Sequence, residues 1–275
     1  MKIITLVENT AAREDLHAAR GLSVYVETAR HKILFDMGPG VQFIANAEAL
    51  GVDLSQVDIG VLSHGHSDHG GGLTAFCHVN SQAKTYLRPE ALRPYYAVLP
   101  GAEPRFIGVE PPADFIQRRL VFTEAGLRLD DEVLLFSDVA DDPARRAQAP
   151  KLREKSGGEF RPDLFSHEQH LLVEEDGKSV LLAGCGHKGI VNILEAARKH
   201  LGRMPDAVFG GFHLFELDPE AADSARLIGL TAEALSEGNT VYYTGHCTGD
   251  WAYERLRERL GDRLRPMGTG TTVEI

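Results

Sequence analysis

Apolar positions recur along this chain at two spacings, and the changes of spacing divide it into elements. Residues 3–7 form an apolar run of strand length. Residues 22–27 alternate Leu, Val and Val with Ser, Tyr and Glu, the period of a half-buried strand. Residues 32–35 predict a third strand, stopped by Asp36-Met37-Gly38-Pro39-Gly40. Phe43, Ile44, Ala47 and Leu50 then fall at helical spacing and Gly51 closes the helix. Residues 57–62 predict a buried strand, and a helix opens at Leu73. From residue 170 the alternation is regular. Strands at 170–174 and 179–183 flank Asp176-Gly177, a hairpin signal. A helix follows with Ile190, Ile193, Leu194 and Ala197 on one face. A strand at 207–209, a helix at 219–236, a strand at 240–243, a helix at 251–260 and a strand-like end at 271–275 complete the chain. Strands alternating with helices fit a layered α/β fold.

The stretch 88–165 departs from this rhythm. It holds nine of the 13 prolines, with short strands at 119–122 and 133–136 and a break at Lys155-Ser156-Gly157-Gly158. We read it as an insertion, or lid, over the site, within a single domain of residues 1–275.

Composition narrows the partners. The chain has 275 residues, 43% hydrophobic and 25% charged, the balance of a soluble globular protein. A net charge of -11 argues against a nucleic-acid polymer. No apolar run approaches the ~18 residues that span a bilayer, so no membrane partner is expected. The start lacks the pattern of a signal peptide. Cys77, Cys185 and Cys247 form no C-x-x-C pair, which points away from a disulfide framework and towards a reducing cytoplasm. The expected partner is a small-molecule substrate.

The chemistry concentrates at His64-Gly65-His66-Ser67-Asp68-His69, directly after a predicted strand. Neutral imidazole and carboxylate are the donors that zinc and similar divalent cations prefer. Three further predicted strands end in glycine-flanked loops carrying His187, His213 and His246. Strand ends on one rim of a sheet are where layered folds place their sites.

With Leu34-Phe35-Asp36-Met37-Gly38 upstream, the H-x-H-x-D-H run resembles the signature of the metallo-β-lactamase superfamily. Gly184-Cys185-Gly186-His187-Lys188-Gly189, Gly210-Gly211-Phe212-His213 and Gly245-His246-Cys247-Thr248-Gly249 are similar to a subgroup of metal-dependent hydrolases related to the archaeal dihydropterin ribofuranosylaminobenzene phosphate synthase. The resemblance implies a four-layer αββα sandwich. It implies one or two divalent metals per chain, Zn2+ first, with Mn2+ or Fe as alternatives. Carried over, it places His64 and His66 on a first metal, and Asp68, His69 and His246 on a second; where the chain departs from the common pattern, we expect His187 to complete the first metal's shell. Asp36 would orient the loop carrying the cluster. Where most hydrolases of the superfamily have a bridging Asp, this chain has Cys185, either a thiolate ligand or a small buried residue. His213 is a candidate ligand, substrate contact or general acid. His167 and His170 flank a strand start, and either is a candidate neighbour of the site.

A divalent cation lowers the pKa of bound water to ~7, and Asp68 is placed to bind metal and accept a proton. The expected reaction is hydrolysis of an ester, lactone or phosphoester. G-x-S-x-G is absent, so no nucleophile elbow competes. Two alternatives stay open. One is a synthase joining a dihydropterin to a phosphorylated ribosyl arene, with Lys188 at a helix start as the anion-binding residue. The other is a non-catalytic metal-binding or redox sensor protein.

Overall fold

The computed structural model describes residues 1–111 and 113–275, and the predicted 88–165 insertion therefore includes one position outside the described residues. The chain forms two compact units. The first comprises Met1–Glu124, Ala149–Gln169 and Gly268–Glu274; the second comprises Ala125–Gln148 and His170–Met267, with Ile275.

In the first unit, seven strands pair in the order Thr272–Glu274, Lys2–Val7, Ser23–Glu27, Lys32–Phe35, Ile59–Val61, Lys84–Leu87 and Leu120–Phe122. The first four are antiparallel neighbours, and from Lys32–Phe35 onward the pairing is parallel. Parallel strands need crossover connections. The helices Gln42–Ala49 and Leu73–Val79 supply two of them. Ile33, Leu34, Phe35, Ile59, Val61 and Leu87 are all buried, as expected of strands covered on both faces.

The second unit pairs Leu264–Pro266, Val241–Thr244, Ala207–Phe209, Lys178–Leu182, His170–Glu175, Val133–Phe136 and Gly126–Arg128. Its first four strands are parallel, and the helices Ile190–Leu201, Ala222–Leu235 and Asp250–Leu260 connect them in sequence. Ile190, Ile193, Leu194 and Ala197 all face the core of this unit, as their spacing predicts. Because Lys178–Leu182, Ala207–Phe209 and Val241–Thr244 run parallel, the loops leaving their C-terminal ends lie along one edge of this sheet.

Residues 88–165 are shared out between sheets. Part of the stretch builds a four-stranded sheet of the first unit, ordered Glu159–Pro162, Leu152–Ser156, Tyr95–Ala97 and Arg105–Phe106. Leu120–Phe122 ends the first large sheet, and Gly126–Arg128 with Val133–Phe136 ends the second. The expected break at Lys155-Ser156-Gly157-Gly158 is a hairpin turn instead. Gly157 and Gly158 both take positive φ, 59° and 88°, the requirement of the tight turn that matches strand twist. No helix among the described residues is long and apolar enough to cross a membrane.

Candidate metal centre

The histidine run leaves the strand Ile59–Val61 and enters a one-turn helix, Ser67–Gly70. Gly71 and Gly72 follow because backbone packs there: a Cβ on Gly72 would lie 2.2 Å from the Met37 carbonyl oxygen. The chain folded this way gathers donors from adjacent turns. One ligand atom from each of His64, Asp68 and His69 lies within 4.8 Å of the other two. His64 and His69 are fully buried, with ring centroids 4.2 Å apart, and Asp68 is half-buried.

Asp36 organises this set. It is fully buried and adopts φ 59°, a left-handed conformation that Asp tolerates better than most residues. Its Oδ1 accepts from the Ser63 N–H (2.7 Å), and its Oδ2 accepts from Ser63 Oγ (2.7 Å) and His69 Nδ1 (2.6 Å). An ionised carboxylate can only accept, so His69 carries its proton on Nδ1 and keeps a lone pair on Nε2. The Ser63 hydroxyl donates its one proton in the hydrogen bond to Asp36. His64 Nδ1, 2.8 Å from Ser63 Oγ, must then donate, which leaves the His64 Nε2 lone pair. One carboxylate thus sets two imidazoles in the tautomer a cation needs. The donor set fits a divalent metal.

Two residues that the motif did not single out do the same for His66. Asp163 lies 3.3 Å from His66 Nε2 and within 3.1 Å of His167 Nε2. The Gly65 N–H donates to His167 Nδ1 (3.0 Å), so His167 holds its proton on Nε2 and gives it to Asp163. With both its nitrogens engaged in this way, His167 is a brace. His66 likewise donates through Nε2, leaving Nδ1 for a metal. Burial alone would raise the Asp163 carboxyl, but His167 and His66 outweigh it and hold the group below the usual carboxylate range. Tyr95 packs its ring 4.3 Å from His167, and Gln169 donates to the carbonyls of Leu62 (2.9 Å) and Tyr86 (3.0 Å). The available signal was the Asp163-x-x-x-His167 spacing.

The other predicted residues lie in the second unit, so the four histidine loops leave two sheets and not the rim of one. Cys185 and His187 follow Lys178–Leu182, His213 follows Ala207–Phe209, and His246 and Cys247 follow Val241–Thr244. Cys185, His213 and Cys247 each place a donor atom within 4.8 Å of the other two. The His187 and His213 rings are 4.2 Å apart. Burial raises the Cys247 thiol, yet Cys185, His213 and His246 together bring it well below its ordinary value. Half-buried Lys188 precedes the helix Ile190–Leu201 and donates to the Ser137 carbonyl (3.4 Å). His170 is fully buried and pushed down to about 3 by desolvation and by Lys188. His31 and His200 pair with Asp58 and Asp138, each at 2.9 Å.

The family model of the metallo-beta-lactamase superfamily matches residues 19–189. The chain belongs to this superfamily. Over its whole length it is 25% identical to the 7,8-dihydropterin-6-methyl-4-(beta-D-ribofuranosyl)-aminobenzene-5'-phosphate synthase of Methanocaldococcus jannaschii, covering 97% of that protein. An uncharacterised protein of the same organism is 28% identical over 92% of this chain and 93% of its own. Among solved structures, a metal-dependent hydrolase of the beta-lactamase superfamily superposes with a TM-score of 0.82 at 27% identity, covering 100% of this chain and 99% of that one. Zn(2+)-bound PqqB from Methylobacterium extorquens shares the fold alone, with a TM-score of 0.54 at 12% identity over 100% of both chains. The α/β class expected from the sequence is the observed one, and the fold is that of the metallo-β-lactamases.

Proposed function

We propose that this superfamily member is a metal-dependent hydrolase of a small-molecule ester, lactone or phosphoester. The observation that carries the reading is the buried His64, Asp68 and His69 set, whose two imidazoles are oriented through Asp36 and Ser63 with their protons on Nδ1. His66, braced by Asp163, adds Nδ1. His246 joins the ligand set in this proposal on the strength of the family resemblance, and His187 as the imidazole two residues beyond Cys185. Zn2+ suits these nitrogen and oxygen donors, as one ion or two per chain. When bound, the cation supplies Lewis acidity and an acidified water.

This chain's own residues do the rest. Asp36 and Asp163 hold the ligand tautomers. Asp68, the most accessible carboxylate of the set, receives a proton from the attacking water. His213 contacts the substrate or returns the proton to the leaving group, and Lys188 favours an anionic group near the helix start.

The test is metal content by mass spectrometry, followed by turnover of generic phosphodiesters, lactones and esters. His66→Ala should lose both metal and turnover. Full retention of both would sink the reading. The whole-length similarity to the Methanocaldococcus synthase favours a second reading, that of a synthase acting on a dihydropterin. Consumption of a dihydropterin together with a phosphorylated ribosyl arene, with no turnover of the hydrolase panel, would replace the first reading by the second.

A further inference from the structure

The small sheet of the first unit has two outer edges with unlike surroundings. Beyond Arg105–Phe106 the chain runs on to Gly108, which bridges to His66. At the opposite end, no strand among the described residues pairs with the outer side of Glu159–Pro162. All four residues of that strand are exposed.

The register shows which backbone groups this edge offers. The Lys155 N–H donates to the Pro94 carbonyl (2.9 Å), so the Lys155 backbone faces away from Phe160, its cross-strand partner. The Asp163 N–H donates to the Leu152 carbonyl (3.1 Å), three positions beyond Phe160. Hydrogen-bonded positions alternate along an antiparallel ladder, so Phe160 turns both its N–H and its C=O outward. Glu159 and Arg161 turn theirs inward. Pro162, which has no N–H, falls on the outward parity and ends the run.

The side chains alternate as well. Phe160 shares a face with Tyr96, ring centroids 5.2 Å apart, and Tyr96 meets Phe106 at 5.4 Å. Lys155 Nζ lies 5.5 Å from the Phe160 ring centre and 5.8 Å from that of Tyr96. Phe160 and Phe106 nonetheless stay 38% and 36% exposed. Glu159 and Arg161 occupy the opposite face, where they form a solvent-exposed ion pair at 3.5 Å.

We propose that this edge pairs antiparallel with the same edge of a second copy of the chain, about a two-fold axis at Phe160. The order Glu159-Phe160-Arg161 is self-complementary in that register. Each Phe160 N–H donates to the other's carbonyl, and Glu159 of each copy lies opposite Arg161 of the other. An axis at Glu159 or at Arg161 would set like charges opposite each other and would meet with backbone groups already turned inward. Shortness, charge and a terminal proline guard an edge against indiscriminate pairing. Here they leave one register open, and it is an isologous one. The row Phe106, Tyr96 and Phe160 then continues into its two-fold mate, which covers the exposed Phe160 ring. The seam is short, so the dimer separates on dilution. Its end adjoins Asp163, the brace of His66, and it stands whether or not the hydrolase reading holds.

The test is sedimentation velocity on the full chain at low ionic strength, where charge pairs are least screened, over a hundredfold range of concentration. Wild type should pass from one chain mass towards two. Glu159→Arg alone and Arg161→Glu alone should each weaken association about tenfold or more, because like charges then face across the seam. Mixing these two single variants should restore association as a heterodimer, and the chain carrying both reversals should self-associate as wild type does. Both side chains are exposed, so the variants keep the fold, which circular dichroism checks. Wild type that stays monomeric throughout overturns the proposal. A dimer that neither reversal weakens, or single variants that do not associate when mixed, overturns it too, because the contact then lies elsewhere. Hydrogen exchange gives an independent reading. The Phe160 amide should exchange more slowly as concentration rises, and an equal rate in monomer and dimer refutes the seam.

Discussion

Asp36→Asn separates the folding role of that residue from its role in ligand chemistry. Asn tolerates the left-handed conformation that Asp36 adopts, so the backbone at φ 59° is retained. The side-chain oxygen still accepts from the Ser63 N–H. The amide nitrogen replaces the oxygen that took protons from Ser63 Oγ and His69 Nδ1. Those partners can reverse: Ser63 turns its proton towards His64 Nδ1, and His69 accepts at Nδ1. Each reversal moves an imidazole proton onto Nε2, the atom a cation needs. Each partner of Asp36 keeps a hydrogen bond to residue 36, so metal-free stability should change by no more than about 1 kcal/mol. Metal affinity should fall by about 100-fold, the upper end for losing an outer partner, because two ligands are affected; that is ~2.7 kcal/mol. Competition with a chromophoric zinc chelator measures the affinity, and thermal melting of metal-free protein measures the fold. Asp36→Ala is the contrast: it strands the Ser63 and His69 donors in the core at roughly 1–3 kcal/mol each, and should lower metal-free stability as well. Zinc affinity within threefold of wild type in Asp36→Asn would refute the tautomer argument.

Asp163→Ala should weaken zinc binding about tenfold and speed hydrogen exchange across residues 162–168; unchanged affinity would remove Asp163 from the ligand chemistry. Gly211→Ala forces a Cβ onto Cys247 Sγ and should cost about 1–3 kcal/mol. Adding Cys247→Ala should recover most of that loss in urea melts, and a double variant no more stable than the single one contradicts the contact. His170 predicts an acid limb. Burial, with Lys188 beside it, lowers its folded pKa to about 3, against an ordinary value of 6.5. The unfolded chain therefore binds this proton before the native chain does. Stability falls as pH drops through 6.5, at up to about 1.4 kcal/mol per unit, and the loss levels off near pH 3. His170→Gln should flatten denaturation midpoints over that window; an unaltered profile would place the acid sensitivity elsewhere.

What the sequence discloses and what it hides follow from the range of the interactions. The buried strands and the helix face of Ile190, Ile193, Leu194 and Ala197 are set by local periodicity, and all are readable. The histidine run is readable because donor chemistry is written in residue type, and Asp36 is readable only through the resemblance of Leu34-Phe35-Asp36-Met37-Gly38 to the superfamily's early motif. Asp163 is not, because it lies 97 positions from His66, and no local pattern links a carboxylate in one loop to an imidazole in another. The small sheet is hidden for a different reason. Its strands Leu152–Ser156 and Glu159–Pro162 read LREKS and EFRP, with too few apolar positions to show a period. The glycine pair between them looks like a break until both residues are seen at positive φ. Which sheet a histidine loop leaves is also undetermined locally, since parallel strands of both sheets carry the same strand–glycine–helix signature.

The hydrogen bonds from Asp163 and His167 to the histidine loop set a rule for anyone who would recombine this protein with its relatives. The segment most different in composition from the rest of the chain is wired to the residues the superfamily shares. A graft that exchanges residues 149–169 for those of another member exchanges the support of His66 and Gly65 with it. Such a chimera could keep every residue of the H-x-H-x-D-H run and still bind zinc poorly. The natural cut points therefore lie outside Asp163 and His167, so that this segment can be transplanted only along with the side chains that brace Gly65 and His66.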